Sequence, residues 1–484
     1  MSDTISSFEP RLVWEHFDRI LKVPRPSKKE EKIRAWLLDW AKEKKFKTSV
    51  DGPGNVVIHV PAAPGREKAP TVVLQAHMDM VCEKNEDKTF NFDTDPIEVR
   101  VDGEWLKTKG TSMGADNGMG IAAALAAAVD PEAVHGPLEL LFTVDEETGL
   151  TGAFNLGTDM LKGRVLLNLD SEEEGTFFVG CAGGGDSILH FPLAAGKPVK
   201  DGKGLRVKIA GMSGGHSGLN IHENRANALK VAARMLRDAR EKGIRYSLVS
   251  MGGGDKHNAI PRECVFEVVV DKKQVDEFKA FIQGWKETFM REFRKTDPGM
   301  KIEFTDFKKV ASALTSACRD KLLGLLLALP HGVLAMSRDI PGLVETSSNL
   351  ASVHMTKKEA AIVTSSRSSV ASALQHVRDV IREIAKAYGA KIDQKPAYPG
   401  WQPDMDSKIL AKALSVYQAA FAKAPQVTAV HAGLECGILG EKYPGMDMLS
   451  FGPTLSGVHS PDEKVHIGSV KGFYGFLKSL LKAV

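Results

Sequence analysis

Cysteine is scarce in this chain: Cys82, Cys181, Cys264, Cys318 and Cys436 are scattered over 484 residues. An odd number with no CxxC pair argues against a disulfide framework and against a thiolate zinc site. Cys82 stands near an acidic-histidine cluster, but a small buried thiol is the plainer expectation. Charge of one sign is lacking too. A formal net charge of +3 is far too little for the basic footprint of a nucleic-acid binder. No apolar run approaches the roughly 20 residues of a membrane span. The first residues, Met1 to Ile5, lack the basic-then-apolar order of a secretory leader, so the expected compartment is the cytoplasm. Short-period repeats and low-complexity tracts are missing as well. What is there is 43% hydrophobic and 26% charged, the balance of a globular protein. Such a length exceeds one ordinary core, so two or more domains are expected.

Periodicity sorts the chain into two kinds of region. Residues 30–44 place Ile33, Trp36, Leu37, Trp40 and Ala41 on one helical face. Short apolar runs at 71–75, 138–144 and 164–169 read as buried strands, and the alanine-rich 117–129 as a helix. Strands separated by helices imply an α/β layer with a mostly parallel sheet. After Gly183-Gly184-Gly185 the pattern changes. Strands are expected at 205–209, 264–270, 301–304 and 360–364, and helices at 226–240, 274–294 and 372–388. This α+β stretch spans 190–394. Pro396-Ala397-Tyr398-Pro399-Gly400 reads as a linker back. A chemically loaded histidine, His459, comes later still. The last segment must therefore return to the first domain. The expected organisation is a domain made of 1–189 plus 395–484, interrupted by an insertion.

Polar motifs fall at the ends of the predicted strands. His77 and Asp79 stand two apart where the 71–75 strand stops, so their side chains share a face. Glu146 and Glu147 follow the second strand, and Asp170 the third. Open α/β sheets gather ligands at such carboxyl ends. Asp116 lies in a glycine-flanked turn before a helix, where backbone donors favour a carboxylate. Singly, each has an ordinary explanation: a chance HxD, a solvated acidic turn, a helix cap, a surface acid. In this order they offer two imidazoles, His77 and His459, and several carboxylates, the ligand set for two divalent metals. Such a site makes a nucleophile from water. One of the neighbours Glu146 and Glu147 can ligate while the other takes a proton. Asp79 is placed to hold the tautomer of His77.

In its order of HMDM, GADNG, DEETG, NLD and HSPDE, the chain resembles the M20 metallopeptidases, and its GGHSG motif and length resemble the branch of aminoacyl-histidine dipeptidases. The resemblance covers essentially the whole chain. It implies a zinc-peptidase-like catalytic domain with an inserted α+β lid at 190–394. It implies His77 and Asp170 as ligands of one metal, Glu147 and His459 as ligands of the other, and Asp116 as the bridge, with a cis peptide to Asn117. Glu146 would be the general base and Asp79 the orienting acid. The metals would be two zinc ions, with cobalt or manganese able to share the donors. The resemblance also makes His216 an oxyanion donor carried by the lid. It suggests Asn258 as a substrate contact, and Glu435 as the holder of a substrate amine.

A dipeptide substrate also needs a site for its free carboxylate. Arg367, after an apolar strand, is the candidate, since arginine binds carboxylates in bidentate fashion; Thr346-Ser347-Ser348-Asn349 could assist. His466 is expected to be structural. The expected reaction is metal-dependent hydrolysis of dipeptides, Xaa-His dipeptides such as β-alanyl-histidine among them, by a metal-bridging hydroxide. The partner is thus a small peptide, with no nucleic acid and no membrane, and the resemblance implies a homodimer. An N-acyl amino acid deacylase is the alternative. A non-catalytic binding protein is argued against by the full ligand set and the intact Glu146.

Overall fold

The computed structural model describes residues 5–308 and 310–484; the first four residues, part of the leader expectation, lie outside them. The chain divides into two compact units. One holds residues 1–181, 401–429 and 434–484, and the other 182–400 and 430–433. No helix among the described residues is long and apolar enough to cross a membrane.

The first unit is built on an eight-stranded sheet. Its order is Lys47–Val50, Val56–Val60, Leu138–Thr143, Val72–His77, Val165–Asn168, Asp447–Ser450, Thr176–Cys181, Gln426–Val430. The four strands from Leu138–Thr143 to Asp447–Ser450 run parallel, and antiparallel strands flank them. Parallel strands covered on both faces read as unbroken apolar runs. Val72, Val73, Leu74 and Ala76 are accordingly buried. The helix Ala115–Val129 lies against Val72–His77 and the helix Arg11–Ile20. Its Ala122, Ala123, Ala124, Ala126 and Ala127 are completely buried, and side chains this small let the neighbouring elements approach closely. Leu74→Ala should therefore lower the unfolding free energy by about 2–5 kcal/mol; a denaturant titration reads this directly.

The second unit is antiparallel. One sheet has the order Tyr246–Gly252, Cys264–Asp271, Gly202–Ala210, Lys301–Phe307. The other has the order Gly332–Met336, Val344–Met355, Glu359–Ser368, Gly183–Pro192, Lys391–Asp393. Helices Ala228–Glu241, Val275–Phe293, Ser316–Ala328 and Ala371–Tyr388 share one apolar core with both sheets. The α/β and α+β characters expected from periodicity are thus those observed.

One local expectation is met and one needs correction. Residues 396–400 lead back as expected, the second unit ending at Gly400 and the first resuming at Trp401, and they are tied down on the way: Tyr398 N–H donates to Gly184 O at 2.9 Å, and Gly184 N–H to Tyr398 O at 3.1 Å. A Cβ on Gly183 would lie 2.5 Å from Gly400 N, which explains a glycine there. The three hydroxyls of Thr346, Ser347 and Ser348 are not free for a ligand. The run Thr346 to Asn349 lies inside the strand Val344–Met355 and is buried. Thr346 bonds Ser368 at 2.9 Å, Ser347 bonds His431 Nε2 at 2.7 Å, and Ser366 donates to Ser348 at 3.3 Å. A buried hydroxyl needs such a partner, so this polar run is sheet interior.

Candidate metal centre

The four parallel strands end along one edge, and the first unit gathers its acids and imidazoles there. His77 is the last residue of Val72–His77 and is 1% exposed. Glu146 and Glu147 sit in the turn after Leu138–Thr143, and Asp170 two residues beyond Val165–Asn168. Asp116 enters at the start of the helix Ala115–Val129, where its peptide to Asn117 is cis. His459 comes from the loop before the strand Lys464–His466. Asp145 and His459 both have left-handed backbones, with φ of 49° and 59°. Non-glycine residues adopt that region at few places, functional turns among them.

Asp116 lies between the two imidazoles. Its Oδ1 is 2.9 Å from His77 Nε2, and its Oδ2 is 3.1 Å from His459 Nε2. Asp170 Oδ1 lies 3.4 Å from His77 Nε2, and Glu147 Oε2 lies 3.0 Å from His459 Nε2. Two donor triads result, His77–Asp116–Asp170 and Asp116–Glu147–His459, each with its donor atoms within 4.8 Å of one another. A third grouping joins His77 to Glu146 and Glu147. The second oxygen of Glu147 is buried without a hydrogen-bond partner among the described residues. Two triads sharing one carboxylate, with an unsatisfied oxygen among the donors, fit a pair of divalent cations of the kind that nitrogen and oxygen ligands hold. Cys82 is in none of the groupings; burial pushes its thiol up to about 11.

The electrostatics agree with that fit. Burial disfavours the charge on Asp116, but His459 and His77 hold its carboxyl well below the usual range. His459 is pushed up to about 11 by its hydrogen bonds to Asp116 and Glu147. His77 is raised despite complete burial by the charges of Asp170 and Asp116. Asp170 is pushed up to about 6, chiefly by burial, with the charge of Asp116 adding to it. The imidazoles thus hold protons where cations would displace them. Glu146 is raised well above the ordinary carboxyl value, first by burial and then, against the pull of His77, by Asp170, Glu435 and Glu147.

Asp79 does two things. Its Oδ1 is 3.3 Å from His77 Nδ1. Its two oxygens also accept the backbone N–H of Glu146 at 3.0 Å and of Glu147 at 3.2 Å, and Ser27 donates to it at 2.7 Å. Burial raises its pKa, but His77, Ser27 and the Glu146 amide bring it down to about 2.

Glu435 is not where a substrate amine could meet it. It is 0% exposed, at the start of the helix Glu435–Lys442. Its Oε2 accepts from Gln75 Nε2 at 2.5 Å and from Thr143 Oγ1 at 2.7 Å, while Oε1 has no partner. Gln75 in turn accepts from Asn168, and Ser450 donates to Asn168. Each of the four parallel strands thus contributes one buried polar residue to a layer at its carboxyl end, and Glu435 closes that layer. Burial pushes its carboxyl up to about 7.

The second unit carries the remaining expected residues. His216 Nδ1 accepts the N–H of Gly218 at 3.2 Å and of Leu219 at 3.1 Å. That leaves its Nε2 as the protonated, donating nitrogen. Burial and the charges of Arg367 and His257 lower its pKa to about 4, so the ring is neutral near pH 7. Asn258 supports the same turn through its backbone, its carbonyl accepting the N–H of Ser217 at 2.8 Å. Arg367 is 7% exposed; Nη1 donates to the Tyr398 hydroxyl at 2.9 Å, and Nε has no partner among the described residues. It is no surface ion pair, and a buried guanidinium with an unused donor is suited to an anion. His466 caps the helix Ile467–Ala483 by accepting the N–H of Ser469 at 3.1 Å.

Several polar residues of these sites went unremarked in the sequence. In the second unit, His257 lies 3.1 Å from Asp186, and His431 meets Ser347. In the first, Arg25 and Glu463 are buried and bind backbone groups beside the metal ligands. The only signal for Glu463 was its place at the end of the HSPDE motif.

Comparison with known proteins places this geometry in context. Peptidase family M20/M25/M40 matches residues 73–483. The chain is 40% identical over 480 residues to the cytosol non-specific dipeptidase of Escherichia coli (strain K12), covering 99% of each. It is also 40% identical to the aminoacylhistidine dipeptidase of Vibrio alginolyticus. That crystal structure superimposes with a TM-score of 0.92 over 99% of this chain and 98% of the other. The aminopeptidase PepT of Bacillus cereus ATCC 10987 shares the fold at 14% identity, with a TM-score of 0.56 and coverage of 98% and 99%.

Proposed function

This chain belongs to peptidase family M20/M25/M40, and on that premise we propose that it is a metal-dependent dipeptidase. The observation that carries the reading is Asp116, whose two oxygens face His77 and His459 and so serve two donor triads at once. The names of two full-length relatives at 40% identity, a non-specific dipeptidase and an aminoacylhistidine dipeptidase, support dipeptides as the substrate class. Xaa-His dipeptides, β-alanyl-histidine among them, are the first members to try.

His77, Asp116 and Asp170 would hold one ion, and Asp116, Glu147 and His459 the other, with zinc as the first metal to test. Divalent ions there lower the pKa of water and polarise a carbonyl oxygen. Glu146 takes the proton from the attacking water and passes it to the departing amine, which suits a carboxyl whose pKa lies above the ordinary value. Asp79 keeps His77 oriented and holds the Glu146 turn. We assign His216, with its donating Nε2, to the developing oxyanion. Arg367 is assigned to the substrate carboxylate and the Asn258 side chain to a substrate contact, while its backbone supports the His216 turn.

The test is a substrate panel on chelator-stripped protein, with and without added zinc: β-alanyl-histidine, glycyl-histidine, glycyl-leucine, a tripeptide and N-acetyl-histidine. Zinc-dependent cleavage of the dipeptides, with the tripeptide and the acetylated compound spared, is expected. Cleavage confined to N-acetyl-histidine would replace this reading with a deacylase. No cleavage by metal-loaded protein would remove the enzymatic reading altogether.

A further inference from the structure

The helix Ala115–Val129, which carries Asp116, has no cap of its own. Its N-cap residue is Gly114, and no side chain within the turn takes the first amides. The cap comes instead from the far end of the chain. Glu463 is 2% exposed, and its carboxylate accepts four successive backbone N–H groups. Oε2 takes Met113 at 2.5 Å and Gly114 at 2.9 Å, and Oε1 takes Ala115 at 2.7 Å and Asp116 at 3.4 Å. Such a nest fixes both the position and the orientation of the peptide that carries Asp116.

Arg25 holds the same turn from its other side. It is 2% exposed. Nη2 donates to Gly114 O, and Nη1 donates to Met78 O at 3.1 Å and to Asp79 O at 2.9 Å. Gly114 is thus gripped through both its N–H, by Glu463, and its C=O, by Arg25. Its φ is +69°, and a Cβ there would lie 2.4 Å from Arg25 Nη2 and 2.8 Å from Met80 Sδ. Glycine is required both by the left-handed backbone and by the close approach.

Three separate segments meet in this arrangement. Arg25 binds the backbone directly after His77. Both residues bind the turn before Asp116. Glu463 stands four residues after His459 in the same loop. We infer that Arg25 and Glu463 are positioning residues that register these three segments, so that the two oxygens of Asp116 face His77 and His459 together. The inference rests on the two-metal reading above. An ordinary helix cap would add stability without setting metal affinity; a clamp on the shared ligand sets both.

Glu463→Gln separates these roles. Glutamine keeps the shape, but its amide nitrogen would face two of the four N–H donors. Zinc uptake is measured by competition with a chromogenic chelator, alongside elemental analysis, thermal unfolding of the metal-free protein, and kinetics on a dipeptide. Wild type should take up two equivalents. Glu463→Gln should bind zinc about 10–100-fold more weakly, the range for partners that orient ligands, with kcat falling more than KM rises. Arg25→Lys keeps the charge but loses the fork, and should weaken zinc in the same direction; it decides the matter if Glu463→Gln does not fold. Asp462→Asn, exposed in the same loop, should match wild type in every readout. Wild-type zinc affinity in the variants, with only a lower unfolding temperature, would overturn the clamp and leave a plain cap. Fewer than two equivalents on the wild type would overturn the two-metal reading and the clamp with it.

Discussion

Asp116→Asn should leave a folded protein that no longer holds two metal ions and has lost more than about 100-fold in activity. Loss of a residue that merely orients a ligand costs about 10–100-fold, and Asp116 is itself a donor in both triads. Asparagine offers one oxygen where two are needed, and no charge to offset either cation. The fold should survive. The amide N–H of residue 116 is only the weakest of the four held by Glu463, at 3.4 Å, and the other three do not depend on the side chain. Elemental analysis after dialysis against limiting zinc, with dipeptide hydrolysis on the same sample, reads both effects. Retention of two equivalents by Asp116→Asn would mean that the triads do not share this carboxylate when metal is bound. Glu147→Gln is the useful comparison. It sits in the Asp116–Glu147–His459 triad but not in the His77–Asp116–Asp170 triad, so it should weaken one ion and spare the other.

The sequence was legible wherever chemistry restricts residue type. His77, Glu147 and Asp170 could be picked out because an imidazole and carboxylates recur at predicted strand ends, Asp116 by its glycine-flanked turn and His459 by the resemblance of HSPDE, and the structure brings these five together. The α/β character followed from apolar runs such as Val72 to Leu74, whose burial on both faces leaves no alternation to misread. What was not legible depended on burial. Glu435 looks in sequence like any acid near a glycine turn, and only packing under Gln75 and Thr143 removes it from the substrate's reach. Thr346 to Asn349 looks like a binding loop because polar residues usually mark the surface; here the hydroxyls of Thr346 and Ser348 pair with Ser368 and Ser366 of the neighbouring strand. Arg25, and Glu463 apart from its place in HSPDE, were hidden for another reason. Their partners are backbone groups, which every sequence possesses, so no spacing announces them. The return of residues 430–433 to the second unit has no compositional mark either.

Glu146→Gln should separate chemistry from metal binding. Glu146 belongs to neither of the triads that share Asp116, and its position is fixed through its backbone, where Asp79 accepts its N–H at 3.0 Å. Glutamine can keep that backbone bond and the side chain's volume, but it cannot accept and return a proton. General-base catalysis contributes about 10²–10⁴-fold, or roughly 3–5 kcal/mol of the barrier at 1.36 kcal/mol per tenfold. The expected result is a fall in kcat of that size on a dipeptide substrate, with zinc content and KM near wild type. Glu146→Asp shortens the reach by one methylene and should fall between the two. Asp79→Asn is the informative contrast. Asparagine has one oxygen for the amides of Glu146 and Glu147, and its other end would present N–H to N–H. It also removes the charge opposite His77 Nδ1. That variant should lower zinc affinity and kcat together, whereas Glu146→Gln should lower kcat alone. If Glu146→Gln retains wild-type kcat, the proton is carried by another group. The nearest candidate is then Glu147, which joins Glu146 and His77 in the third donor grouping.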